Sequence, residues 1–138
     1  MTEKKTSNSI DETRAIGAEV ARLSQAGDVF ALTGEIGCGK TEFVRGFVAC
    51  LCGEAAVRSP TFSIVNVHQS PRFTVYHFDF YRLRKKEELV EIGYYEYVAS
   101  EGVVLIEWAD MFLEALPPNV RFIRFSDNGA TSRMIEIE

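Results

Sequence analysis

Tryptophan, histidine, cysteine and proline are all scarce here: one, two, three and four among 138 residues. The cysteines, Cys38, Cys50 and Cys52, are odd in number and crowded together, which excludes a secreted disulfide scaffold and makes reduced thiols in the cytoplasm the expectation. The two histidines, His68 and His77, have no second pair of ligands spaced for zinc. No stretch approaches the ~20 apolar residues of a membrane span, and the opening MTEKKTSNSIDETRAIG lacks the apolar segment of a secretory leader. Surplus positive charge is missing too: 15 Lys and Arg against 20 Asp and Glu leave a net charge of −5. That balance argues against a protein that grips nucleic acid by bulk charge. No repeat, low-complexity tract or linker interrupts the chain, so one domain over 1–138 is expected.

What is present can form a core, with 46% hydrophobic and 12% aromatic residues. Ser9 and Glu12 have capping-box spacing, and Ile16, Val20 and Leu23 recur at helical period, predicting a helix from Ile10 to Ser24. Val29 to Thr33 and Val103 to Ile106 are short apolar runs with the look of strands buried on both faces. Between them lie a helical run, Glu42 to Leu51, and two β-like segments, Phe62 to Val67 and Phe73 to Tyr81, with His68–Pro71 as the turn. Lys85 to Ile92 reads as a short charged helix stopped by Gly93, Pro117–Pro118 ends any helix over 110–116, and strands are expected over 120–125 and 133–137. The order implies an α/β protein with a mixed sheet.

Gly34-Glu35-Ile36-Gly37-Cys38-Gly39-Lys40-Thr41 fits G-x-x-x-x-G-K-[ST], set after a strand and before a helix. Glycines let backbone N–H groups turn inward around phosphate oxygens, Lys40 adds a charge for the β- and γ-phosphates, and the Thr41 hydroxyl is placed for Mg²⁺. The helix that opens with Glu42 presents its positive dipole end to the same anion. A triphosphate with Mg²⁺ is the implied ligand. The base is left open, although a GTPase is disfavoured because no N-K-x-D segment occurs.

Such a loop needs an acid at the end of a neighbouring buried strand to hold the metal through its water shell. Glu107 follows Val103–Ile106 and fills that role, with Asp110 as fallback; a solvent-facing strand end is the bland alternative. Trp108 beside it is core, lid or stacking partner. Period two places Tyr76, Phe78 and Phe80 on one face of their strand and Val75, His77, Asp79 and Tyr81 on the other. Asp79 is then either a water-positioning or metal-supporting acid, or half of an ordinary surface ion pair. Thr61, in Ser59-Pro60-Thr61-Phe62, lies where a switch segment would, or in a plain loop. Cys38, at a helix start, is an oxidisable thiol or a small filler. Cys50 and Cys52 read as small apolar helix positions, and Arg82, Arg84, Lys85 and Lys86 as a solvated basic face or a partner or tRNA contact.

Taken together, GEIGCGKTEFVRG, SPTFSIV, YHFDFYRL, the EEL-EIGYYEY segment and VLIEWAD resemble the TsaE (YjeE) family in order and spacing. The resemblance implies an α/β P-loop NTPase-type three-layer fold with a mixed central sheet and an unusual strand order. It implies a cytoplasmic ATPase, slow alone, using ATP and Mg²⁺ to support tRNA threonylcarbamoyladenosine (t6A) modification. TsaD and TsaB would be its partners and would carry out the transfer and bear most of the tRNA contact. On the matching positions it implies Lys40, Asp79 and Glu107 as catalytic residues, and Thr41 and Glu107 at the metal. Gly34 to Glu42, Thr61 and Trp108 would contact the nucleotide, with adenine near Ser9 to Thr13. Cys38 departs from the family's usual Ala. Two other functions share the loop: a nucleotide-dependent docking switch, and a small kinase, for whose acceptor pocket and lid the chain has little room.

Overall fold

The computed structural model describes residues 2–34, 39–54, 64–127, 129 and 132–138. Thr61 and the loop residues Glu35, Ile36, Gly37 and Cys38 lie outside them. Strands β1 (Glu3–Ser7), β2 (Val29–Gly34), β3 (Val65–Gln69), β4 (Thr74–Asp79), β5 (Val103–Glu107), β6 (Arg121–Asp127) and β7 (Arg133–Ile137) form one sheet in the order β1-β7-β6-β2-β5-β4-β3. β6, β2, β5 and β4 run parallel, while β1, β7 and β3 add antiparallel margins. The sheet is therefore mixed, as expected.

β2 and β5 are buried along both faces, which is why their sequences are unbroken apolar runs. Alternation along the sheet divides two cores. Phe30, Leu32, Val75, Leu105 and Ile123 face helices α1 (Ile10–Leu23) and α2 (Lys40–Cys52). Val29, Ala31, Phe78, Val104 and Ile106 face the short helices α3 (Glu88–Glu91) and α4 (Tyr94–Val98) and a 3-10 segment, Ala109–Ala115. Three layers result. On the second side Tyr94 is fully buried, meets Phe78 and Phe80 edge-on at 5.2 and 5.5 Å, and donates its hydroxyl to Ala115 O at 2.9 Å. Each such buried side chain contributes ~1.5–3 kcal/mol.

α1 begins as its sequence predicts: Ser9 Oγ accepts from Glu12 N at 3.0 Å. The reciprocal bond is shifted by one, with Asn8 N donating to Glu12 Oε1 at 3.3 Å. At its other end the Arg72 guanidinium donates to the carbonyls of Ala21, Arg22 and Ser24, where the helix dipole favours a cation. α1 and α2 cross with their backbones nearly touching, because a Cβ at Gly17 or Gly46 would overlap the carbonyl oxygen of Phe43 or Arg14.

The differences from expectation are local. β1 was not anticipated, since Glu3-Lys4-Lys5-Thr6 has no apolar face; it is held as an edge by β7, Lys4 opposite Glu136. β3 runs through His68 and Gln69, leaving Ser70–Arg72 as the turn: Ser70 Oγ donates to Phe73 O and accepts from Arg72 N and Phe73 N. Phe80 leaves the strand for a 3-10 turn, Phe80–Arg82, because the Asp79 carboxylate accepts from Tyr81 N at 3.2 Å. The charged helix is one turn, α3, with Gly93 in the left-handed region before a second helix, α4. The segment before Pro117 is 3-10 rather than α-helical and is kinked at Phe112.

Candidate functional site

The parallel strands β2, β5 and β4 end side by side, so whatever follows them converges at one edge. β2 ends in Gly34; α2 begins at Lys40 after Gly39, whose φ of 92° suits glycine. Register places Glu107 opposite both Leu32 and Asp79, at the carboxyl ends of β2 and β4. Ligands of α/β sheets bind in such a crevice at the carboxyl ends of the strands.

Lys40 is 4% exposed, and its Nζ donates to Gly34 O at 2.6 Å. The same ammonium lies 3.9 Å from the centre of the Trp108 ring. Thr41 Oγ1 donates to Glu107 Oε1 at 3.2 Å, joining the first turn of α2 to the end of β5. The other carboxylate oxygen, Oε2, is 2.6 Å from His77 Nε2, on β4. An ionised carboxylate only accepts, so the imidazole is the donor. Trp108 has φ 58° and ψ 35°, the one non-glycine with positive φ among the described residues. Strain of this kind gathers at working sites. It turns the indole over Lys40, and the Tyr81 ring packs against the same indole at 5.0 Å. Trp108 is thus a half-buried wall of the crevice.

Asp79 shares the edge, opposite Glu107 in the ladder, and besides Tyr81 N it pairs with Arg82 Nε at 3.4 Å. Burial, and next the charge of Glu107, push its carboxyl above the ordinary aspartate range; the Tyr81 N–H, His77 and Arg82 oppose them. Glu42 turns from the loop to bind Arg14 at 2.8 Å and Arg45 at 3.2 Å. Thr13 packs beside Gly39 and bonds Ser7 Oγ at 2.7 Å, which brings the start of α1 to the residue before α2. Cys52 packs against the core and Cys50 is exposed. Asp110, the fallback acid, is exposed in the 3-10 segment that follows Trp108.

Of the candidates, then, Lys40, Thr41, Glu107 and Trp108 form one connected cluster, with Gly34 and Gly39 framing it and Asp79 alongside. His77 is the member whose partner could not be named from the sequence. Period two gave its face, but only the β4–β5 register supplies Glu107.

The donor set fits a hard divalent cation. Mg²⁺ usually takes one or two protein oxygens and completes its shell with phosphates and water. A hydroxyl and a carboxylate are such a corner, and among the described residues no cluster of three or more His, Cys, Asp or Glu could hold a metal alone.

The family model for the threonylcarbamoyl adenosine biosynthesis protein TsaE matches residues 7–135. The chain belongs to the TsaE family. Curated TsaE proteins, each named as a tRNA threonylcarbamoyladenosine biosynthesis protein, agree with it over most of its length. The Rickettsia conorii protein is 36% identical over 114 residues, covering 82% of this chain and 65% of its own. The Rickettsia felis protein is 32% identical over 142 residues, covering 94% and 82%. The Bacillus subtilis protein is 39% identical over 107 residues, covering 78% and 66%. The aligned part is thus just under two thirds of the R. conorii and B. subtilis relatives. The crystal structure of Bacillus subtilis YdiB superposes with a TM-score of 0.83 at 31% identity, covering 99% of this chain and 84% of that one. The mixed-sheet P-loop-like fold and the assignment to the TsaE family of t6A biosynthesis proteins therefore stand on sequence and structure alike. No helix among the described residues is long and apolar enough to cross a membrane.

Proposed function

We propose that this chain is a Mg²⁺-dependent ATPase of the cytoplasm that supports t6A modification as the ATP-hydrolysing partner of TsaB and TsaD, without transferring the threonylcarbamoyl group itself. The observation that carries the reading is the Thr41–Glu107 hydrogen bond at the mouth of the β2–α2 turn, beside Lys40. It pairs a loop hydroxyl with a strand-end acid where phosphoryl chemistry needs a metal corner.

Lys40 and the backbone at the start of α2 would bind the β- and γ-phosphates, and the helix dipole adds to their attraction. By donating its proton to Glu107, the Thr41 hydroxyl would keep its lone pairs free for Mg²⁺, and Glu107 would orient the metal's waters. When bound, Mg²⁺ supplies charge to the phosphate oxygens and to the leaving diphosphate. Asp79, whose raised pKa makes it a readier proton acceptor than a surface aspartate, stands at the same edge to orient the attacking water. Trp108 screens Lys40 from bulk water.

The test is ATP turnover by wild type, Lys40→Ala and Glu107→Ala, alone and with TsaB and TsaD. Each substitution should lower turnover ~10²-fold or more, the cost of losing one preorganised charge-stabilising group. The partners should raise wild-type turnover. Turnover insensitive to both substitutions would refute the assignment, and turnover unmoved by the partners would refute the partnership.

A further inference from the structure

The geometry points to His77 as a positioning residue that sets the magnesium response of the site through Glu107; this rests on the nucleotide site proposed above. Both oxygens of Glu107 are committed, Oε2 to His77 Nε2 at 2.6 Å and Oε1 to the Thr41 hydroxyl at 3.2 Å. The carboxylate is 8% exposed and the imidazole 12%, so water competes little for either. With Oε2 pinned, the carboxylate plane cannot turn, and Oε1 stays as acceptor for the Thr41 proton. The hydroxyl lone pairs then face outward, toward a cation. Orientation thus passes across three elements, from β4 through the end of β5 to the first turn of α2.

The β4–β5 pairing makes this arrangement rigid. His77 pairs with Leu105 and Asp79 with Glu107, so the imidazole leans along the ladder to reach a carboxylate two residues on. Among the described residues, His77 bonds Glu107 while Lys40 bonds Gly34 O and lies over Trp108, so the two side chains have different partners. Losing it should leave metal-free nucleotide binding nearly intact and weaken the part of binding that depends on the metal. Partners that orient metal-binding groups typically change metal affinity or activity ~10–100-fold when removed.

Trp108, the single tryptophan, sits against Lys40 and next to Glu107, so its emission should respond to nucleotide bound at Lys40. The experiment is titration of ADP followed by Trp108 fluorescence, in EDTA and in Mg²⁺, for wild type, His77→Leu, His77→Asn and His77→Gln. The quantity read is the factor by which Mg²⁺ tightens ADP binding. The Gln amide can place an N–H near the position of Nε2, whereas Asn is too short and Leu has no donor. His77→Leu and His77→Asn should lose at least ~10-fold of the magnesium factor, with affinity in EDTA within about threefold of wild type. His77→Gln should retain most of the factor. Were His77→Leu not to fold, the Asn and Gln variants carry the comparison alone.

An unchanged magnesium factor in His77→Asn overturns the inference. So does equal weakening with and without metal, or a Gln variant as impaired as the Asn one, since both mark a packing role. Wild-type protein that binds no ADP, or binds it without a magnesium factor, overturns instead the nucleotide and metal reading on which the inference rests.

Discussion

Replacing Trp108 by Gly should leave a more stable protein than replacing it by Ala, although Ala is the larger and normally the safer residue. Both variants lose the same indole, with its contacts to Lys40 and Tyr81, so their difference isolates the backbone. At φ 58° and ψ 35° the residue is in the left-handed region, which costs an L-amino acid ~1–2 kcal/mol and glycine almost nothing. Glycine gives back ~0.4–1 kcal/mol through its greater freedom in the unfolded chain. The balance favours Trp108→Gly by about 0.8 kcal/mol. With a urea slope of ~2 kcal/mol/M, the unfolding midpoints should differ by about 0.4 M, which far-UV circular dichroism resolves without the lost fluorophore. A Trp108→Ala variant as stable as Trp108→Gly would mean that the turn after Glu107 relaxes, and that it does not hold the indole over Lys40 by a strained backbone.

Asp79→Asn should raise stability at neutral pH while lowering ATP turnover. The native carboxyl titrates above its unfolded value through burial and the charge of Glu107, so ionisation costs stability as pH rises through that window. The gain over wild type should therefore shrink as pH falls through the raised native value and be gone below ~4, the ordinary aspartate range; a variant less stable at pH 7 would show that the Arg82 pair outweighs burial. Gly46→Ala gains helix propensity yet drives a Cβ into the Arg14 carbonyl, so urea unfolding should show a loss of ~1–3 kcal/mol from overpacking, and a stabilised variant would contradict the close helix crossing. Tyr94→Phe should cost ~1–2 kcal/mol by orphaning the buried Ala115 carbonyl, with the urea slope unchanged; a neutral result would mean that water satisfies that oxygen.

The parts of this fold that the sequence reveals are those where one local rule decides. Val29–Thr33 and Val103–Ile106 are apolar without alternation because both faces are covered, and the loop between β2 and α2 carries its own spacing. The alternating faces of β4 followed from period two: Phe78 and Val75 do enter opposite cores. What was hidden depends on partners distant in sequence. β1 is polar and exists only because β7 offers an unpaired edge. The left-handed Trp108 contradicts its own residue preference and is sustained by packing around it. His77 and Glu107 are thirty residues apart, and no local pattern sets the register that joins them.

Hydrolysis at the Lys40–Thr41–Glu107 cluster is proposed to sustain t6A formation. The direct test is a reconstituted assay with TsaB, TsaD, tRNA and this chain, counting t6A formed over many turnovers for wild type and for a Glu107→Gln variant shown to bind ATP. With Glu107→Gln, t6A formation should stop after about one round while wild type continues. Undiminished repeated turnover by a variant that binds ATP and does not hydrolyse it would contradict the claim and leave ATP acting only as a docking signal.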